Sequence, residues 1–128
     1  MKFNLKLLSA AAFLAVSATS YADNCDNTRN SYDAVHCANK VYVNADRELN
    51  QNYQLLRNKL NTQQKTILKR SQLAWIKERD QSCSGDSDVG TVIYTNCQLS
   101  KTQERNSWIR ERLRECKTIG CKTSALSD

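Results

Sequence analysis

Between Asn44 and Leu60 the apolar residues Ala45, Leu49, Tyr53, Leu56 and Leu60 recur every three or four positions. That spacing puts them on one face of an α-helix. Upstream, Thr28 to Asn39 reads as a shorter helix with Tyr32, Val35 and Cys37 as its apolar contacts. A further helix is expected from a cap at Thr62 to about Cys83, with Ile67 or Leu68, Ser71, Trp75 and Arg79 along its stripe. Ser84 to Gly90 is a run of turn formers and reads as a loop. The last helix is expected to start near Gly90 and reach about Lys117, burying Ile93, Cys97, Ile109, Leu113 and one face of Trp108.

The chain has no proline and only three glycines, Gly85, Gly90 and Gly120, so little interrupts these helices. Amphipathic helices of this length gain most of their stability by packing on one another. The expected fold class is all-α, a small antiparallel helical hairpin or bundle. No internal repeat or low-complexity segment divides the chain.

The first residues follow another pattern: Lys2 and Lys6, an apolar run from Leu7 to Val16, then small residues ending Ser20-Tyr21-Ala22. This is the layout of a secretory signal peptide, expected to be cleaved after Ala22, leaving residues 23–128 as a single domain. The apolar run is too short to serve as a stable membrane anchor, which needs about 20 residues. Export leads to an oxidising compartment, periplasmic or extracellular. There the six cysteines Cys25, Cys37, Cys83, Cys97, Cys116 and Cys121 read as a framework of three disulfides. Six cysteines allow 15 pairings; the simplest pairs sequence neighbours, Cys25 with Cys37, Cys83 with Cys97 and Cys116 with Cys121. Without Lys2 and Lys6, seventeen basic residues face thirteen acidic ones, a net of about +4. So mild an excess does not single out nucleic acid as a partner.

Few residues advertise chemistry, and no cofactor is expected. His36 has no motif partner that would make it catalytic, and the carboxylates show no spacing typical of an acid–base pair. One histidine and no Cys-x-x-Cys argue against zinc. Asp86-Ser87-Asp88-Val89-Gly90 opens like a calcium loop, but its glycine falls one position early and Cys97 stands where the distal glutamate is needed. Charge distribution is more informative. From Arg79 to Lys101 no lysine or arginine intervenes, whereas Asp80, Asp86 and Asp88 lie there. Pinned near both ends by Cys83 and Cys97, the loop with Asp86, Ser87 and Asp88, faced by Asp80, would form a pre-organised acidic prong for a basic partner, as against an ordinary solvated turn.

Cys37, Ala45-Asp46, Leu49-Asn50, Tyr53, Leu60, Gln72, Trp75, Arg79-Asp80, Cys83, Cys97, Thr102 and Arg105 resemble, in order and spacing, the LprI-like lysozyme-inhibitor family of small exported bacterial proteins. The most specific part is Gln-x-x-Trp-x-x-x-Arg-Asp-x-x-Cys at positions 72 to 83. The resemblance implies a helical envelope protein that is not an enzyme and whose partner is a lysozyme or related cell-wall hydrolase. Helical spacing gives Gln72, Trp75 and Arg79 a competing structural explanation, with Trp75 as a buried anchor and Arg79 as partner of a carboxylate or helix end. Two departures stand out: the lipidation signal of some relatives is absent, and Cys116 with Cys121 looks like an added C-terminal loop. The alternative function is a non-inhibitory envelope or stress protein whose basic helices associate with anionic wall or lipid components.

Overall fold

A computed structural model describes residues 25–128; the expected signal peptide lies outside them. Helix α1 spans Ser31–Arg57, α2 Thr62–Ser82 and α3 Thr95–Thr118, with a two-stranded hairpin, β1 Ser84–Ser87 and β2 Gly90–Ile93, between α2 and α3. Short 3-10 turns, Cys25–Asn27 and Thr123–Ala125, flank the bundle. The fold is all-α, a three-helix up-down-up bundle with a minor hairpin.

Helix α1 absorbs both helices expected upstream of Leu60, because nothing between Asn39 and Asn44 breaks it. It starts where Asn30 Oδ1 accepts the Asp33 N–H at 2.9 Å. Helix α2 begins one residue earlier than expected. Asn61 is the cap, and a reciprocal box forms: the Gln64 N–H donates to Asn61 Oδ1 at 2.8 Å and the Asn61 N–H to Gln64 Oε1 at 3.0 Å. Helix α3 ends at Thr118 with Ile119 as its cap, followed by Gly120 in the left-handed region (φ 96°), whose N–H reaches back to the Glu115 carbonyl at 3.0 Å.

Three disulfides close between sequence neighbours: Cys25–Cys37 ties the leading turn to α1, Cys83–Cys97 joins the ends of α2 and α3 across the base of the hairpin, and Cys116–Cys121 closes the end of α3. The Thr95 hydroxyl donates to Asn39 Oδ1 near the starts of α3 and α1, and Gln64 Nε2 donates to Thr123 Oγ1 near the other end. Helices α1 and α3 therefore run parallel, with α2 antiparallel to both.

The apolar core is small: Leu49 and Leu56 of α1, Leu60, Leu68 of α2, Ile109 of α3 and Leu126. Tyr53, Ile67, Trp75, Trp108 and Leu113 pack around it. The stripe expected on α1 is thus the one that is buried. On α3 the interior instead takes Thr102, Arg105, Asn106 and Ile109, and Ile93, expected in that helix's buried stripe, is 60% exposed on β2. With so few aliphatic side chains inside, each matters. Leu56→Ala, at a site with no exposure, is expected to cost about 2–5 kcal/mol, read as a lower urea midpoint at unchanged slope.

Candidate functional site

The segment expected to be a loop is a β-hairpin. Ser84 pairs with Ile93, Gly85 with Val92, Asp86 with Thr91 and Ser87 with Gly90, leaving Asp88-Val89 as a two-residue turn. Gly90 has φ 116°, a conformation that side-chain-bearing residues avoid, so a glycine there lets the turn close. Ser87 Oγ donates to the Gly90 carbonyl at 2.8 Å and accepts from the Val89 N–H at 3.4 Å. Ser87 therefore holds the turn. A Cβ on Gly85 would lie 2.8 Å from the Tyr94 hydroxyl, so this position must stay small for the Tyr94 ring to lie over it. Cys83–Cys97 and the Tyr94 N–H bond to the Cys83 carbonyl (2.8 Å) clamp the base.

Asp86 and Asp88 are exposed and form no ion pair among the described residues. At the tip, Val89 is 94% exposed. Asp80 belongs elsewhere. It lies on the last turns of α2, where its carboxylate accepts from Arg79 Nε at 3.0 Å and its carbonyl from the Ser84 hydroxyl at 2.8 Å. The four residues grouped in the acidic segment thus divide into two free acids, one turn-holding serine and one carboxylate held against the bundle.

The motif residues of α2 assemble something different. Arg79 Cζ stands 5.7 Å from the Tyr42 ring centre and 5.0 Å from that of Trp75. Arg105 Cζ is 5.9 Å from Trp75 and 3.8 Å from Trp108, and Arg112 Cζ is 5.3 Å from Trp108. Tyr42, Arg79, Trp75, Arg105, Trp108 and Arg112 form one alternating stack of rings and guanidinium groups that crosses all three helices, each contact within cation–π range.

Hydrogen bonds fix the guanidinium groups. Arg105 donates from Nε to Gln72 Oε1 at 2.9 Å, from one terminal nitrogen to the main-chain oxygen of Asp128 at 2.9 Å and from the other to Ser71 Oγ at 2.7 Å. Burial lowers its pKa to about 10, which leaves it charged at neutral pH. Arg79 reaches Asp46 Oδ1 at 3.4 Å besides Asp80. Trp75 is only partly buried and acts as a rung between two arginines. Gln72, Trp75 and Arg79 therefore have structural roles to fill in the bundle.

A family model described as "Lysozyme inhibitor LprI" matches residues 23–109. The chain belongs to that family. No curated protein and no solved structure matches it. In this LprI-family chain the matched stretch holds the hairpin and all of the stack except Arg112. Beyond it lie Cys116–Cys121 and Leu126, which is 1% exposed in the core. This C-terminal segment also contributes acceptors, the Ala125 carbonyl to Arg112 at 3.2 Å and the main-chain oxygen of Asp128 to Arg105.

Sequence reasoning missed the stack because its rungs lie on three helices. Arg105 and Trp108, spaced three apart on α3, were the available hint, since side chains at that spacing meet. Among the described residues no group of three His, Cys, Asp or Glu side chains is placed to hold a metal, and no helix is long and apolar enough to cross a membrane. His36 is exposed, with its ring stacked on Tyr32 at 6.3 Å.

Proposed function

We propose that this chain is exported, matures by loss of residues 1–22, and inhibits a lysozyme or related peptidoglycan hydrolase in the periplasm or outside the cell. The acidic hairpin engages the enzyme. Membership of the lysozyme-inhibitor family supports the partner class. The observation that carries the mode of binding is the hairpin itself: Asp86 and Asp88 project from a strand pair clamped by Cys83–Cys97, with no lysine or arginine between Arg79 and Lys101 to offset them. A rigid prong loses little conformational freedom on binding. Unbalanced carboxylates favour a cleft with basic walls and disfavour approach to acidic surfaces. Inhibition of this kind needs occlusion only, so no residue of the inhibitor has to act chemically.

The location of the contact is tested by amide chemical-shift mapping of the oxidised protein, residues 23–128, titrated with an animal-type lysozyme. Changes centred on residues 84–94 are expected, weakening as salt rises through the range in which exposed charges are screened. Changes confined to the outer faces of α2 and α3 would reject the hairpin as the contact.

A further inference from the structure

We propose that the groove between α1 and α2 is a binding site for an anionic oligosaccharide, one that carries carboxylates beside hydroxyl and acetamido groups. The groove encloses about 530 Å³ and lies midway along the bundle, away from the hairpin. Tyr53, Gln54 and Arg57 of α1 face Lys69, Gln72 and Leu73 of α2 across it.

Gln72 is the most constrained of these. It is 7% exposed, and its Oε1 accepts from Arg105 Nε at 2.9 Å. A guanidinium can only donate, so the amide orientation is determined: the oxygen faces Arg105 and the Nε2 donor is left over. That donor has no protein acceptor among the described residues, and Gln72 lines the groove. Held at its oxygen by Arg105, the amide presents the remaining donor to the groove in a fixed orientation, where an occupant can take the place of water.

Charge and shape narrow the chemistry. The lining carries two cations, Arg57 and Lys69, and no carboxylate, and neither cation forms an ion pair among the described residues. An anion is therefore the favoured occupant. The remaining polar groups are neutral, the amides of Asn50, Gln54 and Gln72 and the Tyr53 hydroxyl, which combine donors with acceptors as vicinal hydroxyls and acetamido groups do. Tyr53 supplies a ring and Leu73, 56% exposed, an apolar surface for the C–H faces of sugar rings. A fatty acyl chain would leave the amides of Asn50, Gln54 and Gln72 unmatched, at the cost of desolvating them.

The experiment titrates the oxidised protein with three probes: a wall tetrasaccharide of alternating N-acetylglucosamine and N-acetylmuramic acid, neutral chitotetraose, and phosphatidylglycerol vesicles. Affinity and amide shifts are read for each. The acidic tetrasaccharide should saturate, shift residues 50–57 and 69–76, and bind at least about tenfold more tightly than chitotetraose. Arg57→Ala with Lys69→Ala, both at exposed positions, should remove about tenfold or more of that affinity with the fold intact. Asp86→Lys with Asp88→Lys should leave it unchanged, so the groove and the hairpin succeed or fail separately. Equal affinity for the two saccharides, no saturation, shifts outside the groove, binding to the vesicles alone, or a second copy of the chain filling the groove would each overturn the proposal.

Discussion

Arg105→Ala is expected to lower folding stability by about 3–5 kcal/mol, as large as the loss of a major core side chain. Arg105 is 6% exposed, stacks on Trp108 at 3.8 Å and gives three hydrogen bonds, to Gln72, Ser71 and the main-chain oxygen of Asp128. Truncation leaves a gap between Trp75 and Trp108 and strips Gln72 of its partner. Arg105→Lys should recover little, because an ammonium lacks the planar fork that stacks and bonds in three directions at once. A double-mutant cycle with Trp108→Ala should return a coupling of about 1–2 kcal/mol, the size of a desolvated cation–π contact. Urea unfolding of the four proteins at one pH measures it.

The pH dependence of this residue has a definite sign. Burial lowers its folded pKa to about 10, well below that of the free side chain. Between those values the unfolded chain holds the proton and the folded chain does not, so stability through this residue rises as pH climbs through that window. Below it both states are protonated. The stability difference between wild type and Arg105→Met should therefore be flat from about pH 5 to about pH 8 and shift in favour of wild type near pH 10 and above.

The second large effect is on inhibition. Asp86→Lys with Asp88→Lys should weaken inhibition of a basic lysozyme by roughly 100-fold or more, since like charges brought together at an interface cost several kcal/mol and about 1.4 kcal/mol is tenfold. Both side chains are exposed and form no ion pair among the described residues, so folding stability should stay within about 0.5 kcal/mol of wild type. Replacing Cys83 and Cys97 by serine separates charge from rigidity. The acids remain, but the clamp at the base of the hairpin goes. Inhibition should fall because the prong must then be ordered during binding, and thermal stability should fall with it, by about 2–4 kcal/mol.

What could be read from residues alone follows from how local each interaction is. Leu49, Tyr53 and Leu56 lie on one stripe of α1, so periodicity exposed the helix and its buried face, although Leu60, expected on the same stripe, is buried just past the helix end at Arg57. The hairpin escaped because Ser84 to Gly90 carries turn chemistry and because Thr91-Val92-Ile93-Tyr94 was absorbed into the following helix. That β-branched run directly after Gly90 was the available strand signal. A two-residue turn and a disulfide at the base then stabilise strands too short to be recognised by alternation. The acids were visible as a charge imbalance, whereas the separation of Asp80 from Asp86 and Asp88 depends on Arg79 and appears only in three dimensions. The stack and the α1–α2 groove depend on the packing of different helices. Gln72, Trp75, Arg79 and Arg105 nonetheless belong to the sequence pattern that resembles the family, and their geometry supplies a physical reason for that pattern.

The measurement that most directly tests the central claim is a lytic assay of oxidised residues 23–128 against an animal-type lysozyme and several bacterial wall hydrolases, at low and moderate salt. Dose-dependent inhibition of at least one of them, lost when Asp86 and Asp88 become lysine, is the expected result. Full lytic activity of every enzyme at saturating inhibitor, or inhibition that survives the charge reversal undiminished, would contradict the account.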